Sequence, residues 1–314
     1  MKTMISLVLV CVGAVATVSA AHLPVSVDPS AGLGAVYQVA PGAQQETPKV
    51  INVVKLKDNF YVLEGGGGNT EVFITQDHGV VVVDTKLPGW GPLLVEKIKT
   101  LTDKPVTTII NTHTHADHTS GNPSFPAGVE IIAQENTKAN MEKMDLFKKP
   151  ENVKFLPTKT FKDKLKLFSG KDEVDLYYFG VGGTDGDAWV VFPALRIMAA
   201  GDAFAAKAVN PIDTKNGGDG IAYAQQLKNA VAGIKNVDMI VGGHSDATLT
   251  WADLKEYAVY DQELVAWVRA EKKAGKSVDE AAAEYQYPTK YSTYDKPNPR
   301  FVKSAVQAIY DASK

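Results

Sequence analysis

The order of strand-like and helix-like segments is the feature that most constrains the fold of this chain. Four short β-rich runs come first, separated by turns rich in Asn, Asp and Gly, and helical and strand patterns then alternate. A second β-rich part followed by helices begins near residue 164. Because no linker or low-complexity stretch separates the two halves, we predict one layered α/β domain, with sheets inside and helices outside.

The hydrophobic periodicity places the individual elements. We predict strands over 50–56, 60–64, 71–75, 80–84, 106–111, 164–168, 174–179, 188–192, 196–200 and 239–241. We predict helices over 93–101, 136–148, 220–234, 251–274, 278–285 and 300–312.

The first 20 residues have the pattern of an export signal. Lys2 supplies a positive start, Ile5 to Val18 are almost wholly apolar, and Val18-Ser19-Ala20 fits a small-residue cleavage site before Ala21. The apolar stretch is shorter than the roughly 20 residues that span a bilayer, so we predict cleavage rather than a stable membrane anchor. The sequence therefore predicts a secreted or periplasmic protein.

The proline-rich segment 21–49 is typical of an extended lead-in, so we predict that the folded domain occupies 50–314. Lys and Arg number 33 and Asp and Glu 36, for a net charge of -3, so no basic excess is available for a nucleic-acid partner. The single cysteine, Cys11, lies in the predicted signal. Any metal must then be held by His, Asp and Glu rather than by thiolates.

Three of the six histidines fall within six residues. His113, His115 and His118, with Asp117 between the last two, directly follow the apolar strand predicted over 106–111. Ligands in α/β folds bind at the carboxyl ends of strands, and imidazole and carboxylate groups are donors that zinc accepts. The cluster therefore indicates a metal site.

These residues also carry a family pattern. The segment His113-Thr114-His115-Ala116-Asp117-His118 is the HxHxDH signature of the metallo-β-lactamase-fold hydrolases. Gly79 to Thr85 resembles the family's glycine-turn strand ending in Asp, 200–204 resembles its later Gly-Asp segment, and 242–244 resembles its last ligand segment. The resemblance extends from about Val50 to Val259 and implies a four-layer αβ/βα sandwich.

The resemblance also implies the roles of the site residues. His113 and His115 belong to a first metal site and Asp117, His118 and His244 to a second, with Asp202 in the position that bridges both. Asp84 would accept a hydrogen bond from a metal-bound imidazole, since such rings usually donate their other nitrogen to an acceptor. Asp117 is the candidate catalytic residue, because it would also orient the water nucleophile.

Gly183 departs from the family pattern. The family places a third histidine of the first site within Gly-His-Thr-x-Gly-Asp, and here the segment 182–187 is Gly-Gly-Thr-Asp-Gly-Asp. Asp185 could bend into the position, a water could complete the shell, or the second site alone could be filled. Because glycine donates no ligand, we expect a weakened first site, with one zinc bound tightly and a second bound weakly.

The sequence therefore predicts an exported zinc-dependent hydrolase that acts on the carbonyl of a small molecule, a β-lactam amide or a lactone or ester. One alternative is the same fold retained as a metal-binding protein with weak or no hydrolytic activity, and another is a ligand-binding member without metal. Retention of every second-site ligand argues against the latter. His78 and His22 are expected to be bystanders because of their turn and lead-in contexts.

Overall fold

In the computed structural model of the protein, which describes residues 48–246 and 248–313, the first half of the chain forms a seven-stranded sheet. Its strands are β1 (Asn52–Lys57), β2 (Phe60–Glu64), β3 (Thr70–Ile74), β4 (Val80–Val83), β5 (Val106–Asn111), β6 (Glu130–Gln134) and β7 (Lys159–Phe161). They lie side by side in chain order, antiparallel from β1 to β4 and parallel from β4 to β7. All four valines of β4 are buried, as expected of a strand covered on both faces.

The second half forms a six-stranded sheet in the order β13-β12-β11-β10-β9-β8. Its strands are β8 (Lys164–Leu167), β9 (Val174–Tyr178), β10 (Ala188–Phe192), β11 (Ile197–Gly201), β12 (Met239–Gly242) and β13 (Leu249–Thr250). The two sheets pack face to face. Phe192 of β10 lies edge-on to Phe60 and Phe73 of the first sheet, with ring centroids 4.8 and 5.2 Å apart.

Helices cover the outer face of each sheet. They are α1 (Gly91–Lys99), α2 (Ala116–Thr119), α3 (Glu135–Met141), α4 (Asp145–Lys148), α5 (Gly220–Gly233), α6 (Trp251–Lys273), α7 (Val278–Glu284) and α8 (Pro299–Ala312). The apolar faces of α1, α3 and α4 pack on the first sheet, and those of α5 to α8 pack on the second. The predicted four-layer α/β fold class is therefore confirmed.

Some elements differ from those predicted. β7 and β13 were not predicted, because they have only three and two residues. β6 was not predicted either, although it has five residues. The helix predicted over 136–148 is two helices, α3 and α4, since the backbone at Met144 is extended, with φ -72° and ψ 134°. The predicted signal, most of the lead-in and His22 lie outside the described residues. Among the described helices, none has both the length and the apolar character of a membrane-spanning segment.

Candidate metal centre

The candidate ligands lie where strands end. Asp84 follows β4, the 113–118 cluster follows β5, Asp202 follows β11, and His244 comes shortly after β12. β4 and β5 are parallel neighbours in the first sheet, and β11 and β12 are parallel neighbours in the second. The carboxyl ends of parallel strands share one edge, so each sheet contributes ligands to the same site.

The local backbone explains how the histidine cluster reaches one cavity. The chain is extended at His115, with φ -60° and ψ 149°, and becomes helical at Ala116. His115 therefore comes from extended backbone and His113 from the bend before it, whereas Asp117 and His118 come from the first turn of α2. The backbone N–H of Thr85 donates to the His118 carbonyl over 2.7 Å and ties α2 to the end of β4.

One group of donors consists of His113, His115 and Asp202. The Nε2 of His113 lies 3.0 Å from the Nδ1 of His115. The Oδ2 of Asp202 lies 3.5 Å from the former atom and 3.9 Å from the latter. These three atoms form a compact set that could hold one metal ion.

A second group consists of Asp117, His118, His244 and the other oxygen of Asp202. The Oδ2 of Asp117 lies 3.6 Å from His118 Nε2 and 3.3 Å from His244 Nε2. The Oδ1 of Asp202 lies 3.4 Å from each of these two nitrogens. Asp202 thus presents one carboxylate oxygen to each group, in the bridging position that the resemblance implies.

The spacing of the donors suits a tetrahedral ion. Zinc with ligands at about 2.0–2.1 Å places neighbouring donor atoms about 3.3–3.4 Å apart. Asp202 Oδ1 is buried and makes no hydrogen bond within the described part of the chain. A buried carboxylate oxygen without a hydrogen bond is costly unless a cation compensates it, so the donor set fits a divalent metal.

Hydrogen bonds fix which nitrogen of His118 and His113 faces the metal position. Asp84 Oδ2 accepts from His118 Nδ1 and from the Thr112 hydroxyl, each over 2.7 Å. That hydroxyl lies 3.0 Å from His113 Nδ1 and accepts its proton. The Nε2 lone pairs of both rings therefore point at the donor groups, and Asp84 is the acceptor that orients them.

The charges of the cluster depend on one another. Burial opposes protonation of His115 and His244, but the neighbouring carboxylates of Asp202 and Asp213 raise the pKa of His115 to about 10, and those of Asp117 and Asp202 raise that of His244 to about 9. Burial and the neighbouring His118 hold the pKa of His113 well below its usual value. A metal must displace the protons that these groups share.

Comparison with known proteins identifies the family. The model of the metallo-beta-lactamase superfamily matches residues 63–267. The chain belongs to the metallo-beta-lactamase superfamily. A relative from Elizabethkingia meningoseptica, named metallo-beta-lactamase type 2, is 31% identical over 229 residues, covering 67% of this chain and 82% of that protein. The family prediction is confirmed, and its hydrolase members support a hydrolase over a protein without activity.

Solved structures agree on the fold. A metallo-beta-lactamase from Pontibacter korlensis has a TM-score of 0.57 and 20% identity, covering 68% of this chain and 99% of that chain. The sec-alkylsulfatase Pisa1 from Pseudomonas sp. has a TM-score of 0.68 and 13% identity, covering 84% of this chain and 50% of the sulfatase. This chain therefore spans about half the length of the sulfatase, and at such identities the likeness shows the fold alone.

The segment that replaces the family's third histidine is buried beside the site. Gly183 does not adopt the left-handed backbone that excludes side chains, and a Cβ there would lie 3.3 Å from Asn210 Nδ2. Asp185 turns away from the site, since its Oδ1 accepts from Asn140 Nδ2 over 2.7 Å. Asp185 therefore does not take the place of the missing histidine.

Asp213 is a site residue that the sequence analysis missed. Its Oδ2 lies 3.1 Å from His115 Nε2. Because Nε2 is bonded to Asp213, the Nδ1 of His115 is the nitrogen that belongs to the first donor group. The Oδ1 of Asp213 caps a short 3-10 helix, Thr214–Asn216, by accepting from the backbone of Lys215. His115 and Asp213 are 98 positions apart in the sequence, and no sequence motif around Asp213 indicates that they are in contact.

The glycine run 65–68 forms the connection between β2 and β3 and packs directly on the site. A Cβ at Gly68 would lie 2.2 Å from the His118 ring, so only glycine fits there. The fully buried Lys86 donates from Nζ to the carbonyls of Leu63 and Gly68 and fixes this loop. The sequence analysis did not single out Lys86.

His78 lies away from the cluster. It is exposed, and its ring stacks on Phe168 with centroids 4.1 Å apart.

An apolar cavity lies next to the metal centre. This cavity of about 240 Å³ opens beside Asp202 and His244 and is lined by Ala205, Ala206, Ala208, Val209, Asn210, Pro211 and Phe301.

Proposed function

We propose that this protein is a zinc-dependent hydrolase that adds water to the carbonyl of a small molecule, a β-lactam amide or a lactone or ester. The observation that carries the proposal is the shared carboxylate. Asp202 faces His113 and His115 with Oδ2, and it faces the His118 and His244 group with Oδ1. The naming of relatives as metallo-beta-lactamases supports the same reaction class.

The candidate metal ligands differ in their exposure to solvent. His113 and His118 are buried, whereas the side chains of Asp117 and His244 are 24% and 41% exposed, so substrate approaches from the latter side. His118 and the hydrogen bond from His244 hold the pKa of Asp117 below its usual range against the effect of burial, so this carboxylate is ionised. In that state it accepts a hydrogen bond from the attacking water and orients it. Zinc, when bound, would lower the pKa of water and polarise the carbonyl.

The two groups differ in their expected affinity for zinc. The group of Asp117, His118, His244 and Asp202 has four donors, and the group of His113 and His115 shares only Asp202 because residue 183 is glycine. The first group therefore offers three donors, one of them shared, whereas the second offers four. We therefore propose one zinc held tightly and a second held weakly.

Export belongs to the same proposal and rests on the sequence of the first 20 residues. We expect cleavage before Ala21 and a periplasmic or secreted product. Intact-mass measurement of protein isolated from the producing cells tests it, and retention of Met1 would contradict it.

The experiment that tests the function combines zinc titration with hydrolysis assays on nitrocefin and a set of lactones and esters. His118→Ala should lose the tight zinc and the activity together, because it removes a buried ligand. His244→Ala is a second variant, and its more exposed side chain makes misfolding a weaker explanation. His78→Ala is the matched control and should retain both properties, since His78 lies on the surface. Unchanged zinc content in both ligand variants would overturn the proposal.

A further inference from the structure

The cavity beside Asp202 and His244 has apolar walls. Ala205, Ala206, Ala208, Val209 and Pro211 come from one segment after β11, and Phe301 comes from the first turn of α8. Its volume is about 240 Å³. Because an apolar cavity of about 150 Å³ can hold benzene, this one has room for a phenyl ring or a short alkyl group.

None of the residues that line the cavity is Lys or Arg. Lys207 lies within the same segment, but its Nζ is 2.8 Å from Asp253 Oδ1 and 3.2 Å from Glu256 Oε1, both on α6. Its charge is therefore compensated away from the cavity. Penicillins and cephalosporins carry an acidic group next to the lactam ring, and such a group would find no Lys or Arg partner in this cavity.

Asn210 supplies the polar group of the cavity that lacks a partner. It is 6% exposed, and its Nδ2 donates to the backbone carbonyl of Asp202 over 2.9 Å. Its Oδ1 is buried and accepts no hydrogen bond from the described residues. Because this oxygen has no surface open to the cavity, it adds no hydrogen-bond acceptor to the walls, which stay largely apolar.

The segment that forms the cavity is held in place by the C-terminal helices. The Ala208 carbonyl accepts from Tyr257 Oη over 2.8 Å, and the Val209 N–H donates to Tyr287 Oη over 2.9 Å. Ser304 of α8 bonds both backbone groups of Ile212. The walls are thus formed before substrate arrives, which reduces the entropy lost on binding.

We propose that this cavity binds an uncharged apolar group of the substrate, so that the preferred substrates are neutral lactones or esters with a phenyl or short alkyl substituent, rather than anionic β-lactams. Phe301, which is 41% exposed, forms the rim. This inference rests on the proposed hydrolase function.

The test compares γ-butyrolactone, its phenyl-substituted analogue and nitrocefin as substrates of the zinc-loaded protein. The phenyl compound should have the highest kcat/KM. Ala208→Trp, which fills the cavity, and Phe301→Ala, which opens its rim, should each lower the ratio of kcat/KM for the phenyl compound to kcat/KM for γ-butyrolactone by about tenfold or more. Ala194→Trp is the matched control, since Ala194 is exposed in the turn before β11, at the end of that strand opposite Asp202.

A second readout separates failure of this inference from failure of the proposed function. Calorimetric titration of phenylacetamide into protein treated with EDTA should detect binding in the wild type and the control, and a loss of at least about tenfold in affinity in Ala208→Trp. Binding without hydrolysis of any compound would support the cavity assignment and refute the hydrolase. Hydrolysis that favours nitrocefin would overturn the inference, and so would hydrolysis whose rate depends neither on the phenyl group nor on Ala208→Trp. Either result would leave the proposed hydrolase function standing.

Discussion

Gly183 is the residue at which the expected strength of the first metal site is decided. A Cβ at this position would lie 3.3 Å from Asn210 Nδ2 and 3.5 Å from Asp187 Oδ2, close contacts with side chains that can shift slightly. The backbone there is not left-handed, so a side chain brings no strain of that kind. A histidine can therefore be introduced where the family usually has one.

Gly183→His should raise the affinity of the weaker zinc by about tenfold or more, because one imidazole ligand is added. Calorimetric zinc titration of the wild type, Gly183→His and the control Gly183→Ala measures this. The control adds the Cβ without the imidazole and should not gain affinity. Two equally tight sites in the wild type, or no gain in the histidine variant, would show that another group completes the first site.

Asp213 acts on the same site through His115. Asp213→Asn keeps the size of the side chain, but its amide can donate to His115 Nε2 and favour the ring tautomer that protonates Nδ1. We expect zinc affinity of the first site to fall by about 10- to 100-fold. Asp219→Asn is the matched control, since Asp219 also caps a helix, with Oδ1 2.8 Å from Ile221 N, and should not change zinc binding. Equal zinc affinities in the wild type, Asp213→Asn and Asp219→Asn would show that Asp213 does not act on the metal site.

At the scale of a single element, helix α6 has a stabilising cap at its N-terminus and an energetically unfavourable buried carboxyl group in its middle. Thr250 and Asp253 form a capping box at its N-terminus, and Asp261 in its middle is 4% exposed. Burial raises the pKa of Asp261 to about 8. The folded state then holds a proton between about pH 4 and 8 that the unfolded state has released, so the stability contributed by this group falls as the pH rises.

Asp261→Asn removes this titration, because an amide stays neutral. The free energy of unfolding should increase by about 1–3 kcal/mol at pH 8, and the gain should be smaller at pH 5, where the aspartate is already protonated in the folded state. Urea unfolding at the two pH values measures it. Asp103→Asn changes an exposed turn carboxylate and is the control. A gain that is the same at both pH values would contradict the assignment.

At the scale of the whole molecule, the metal centre joins the two sheets. His113, His115, Asp117 and His118 come from the end of the first sheet, and Asp202 and His244 come from the second. Zinc bound to both should stabilise the fold by mass action, by about 4.1 kcal/mol at a thousandfold excess over Kd. For a domain of this size, that corresponds to a rise in Tm on the order of 10 °C.

The difference in Tm between zinc-loaded and EDTA-treated protein should grow as the pH rises from about 6.5 to 9. Without metal, the pKa values of His115 and His244 are raised to about 10 and 9, so their protonated ion pairs stabilise the fold below pH 6.5 and this contribution is lost at higher pH. Zinc affinity, in contrast, increases as the pH rises, because zinc binding displaces those protons. Thermal unfolding across this range decides it, and a difference that shrinks with pH would refute the metal assignment.

The sequence alone determined the fold class and the local part of the site. The strand and helix periodicities are properties of neighbouring residues, and so is the cluster from His113 to His118, where an extended turn brings its donors together. Asp202 and His244 were reached through the family resemblance. The shortest elements, such as the two-residue β13, were missed because they carry too little pattern.

Only the tertiary structure decided which other residues complete the site. The contact between His115 and Asp213 joins positions 98 apart, and Lys86 reaches the glycine loop by being buried beneath it. None of the large aromatic residues Trp90, Phe125, Phe147, Phe204 and Tyr223 lines the cavity beside Asp202 and His244: Trp90 packs on Gly66, and the others are buried in the core. The cavity is built instead from small residues after β11 and Phe301 of α8. Such contacts depend on how sheets and helices pack, and the periodicity of one segment carries no information about the distance to another.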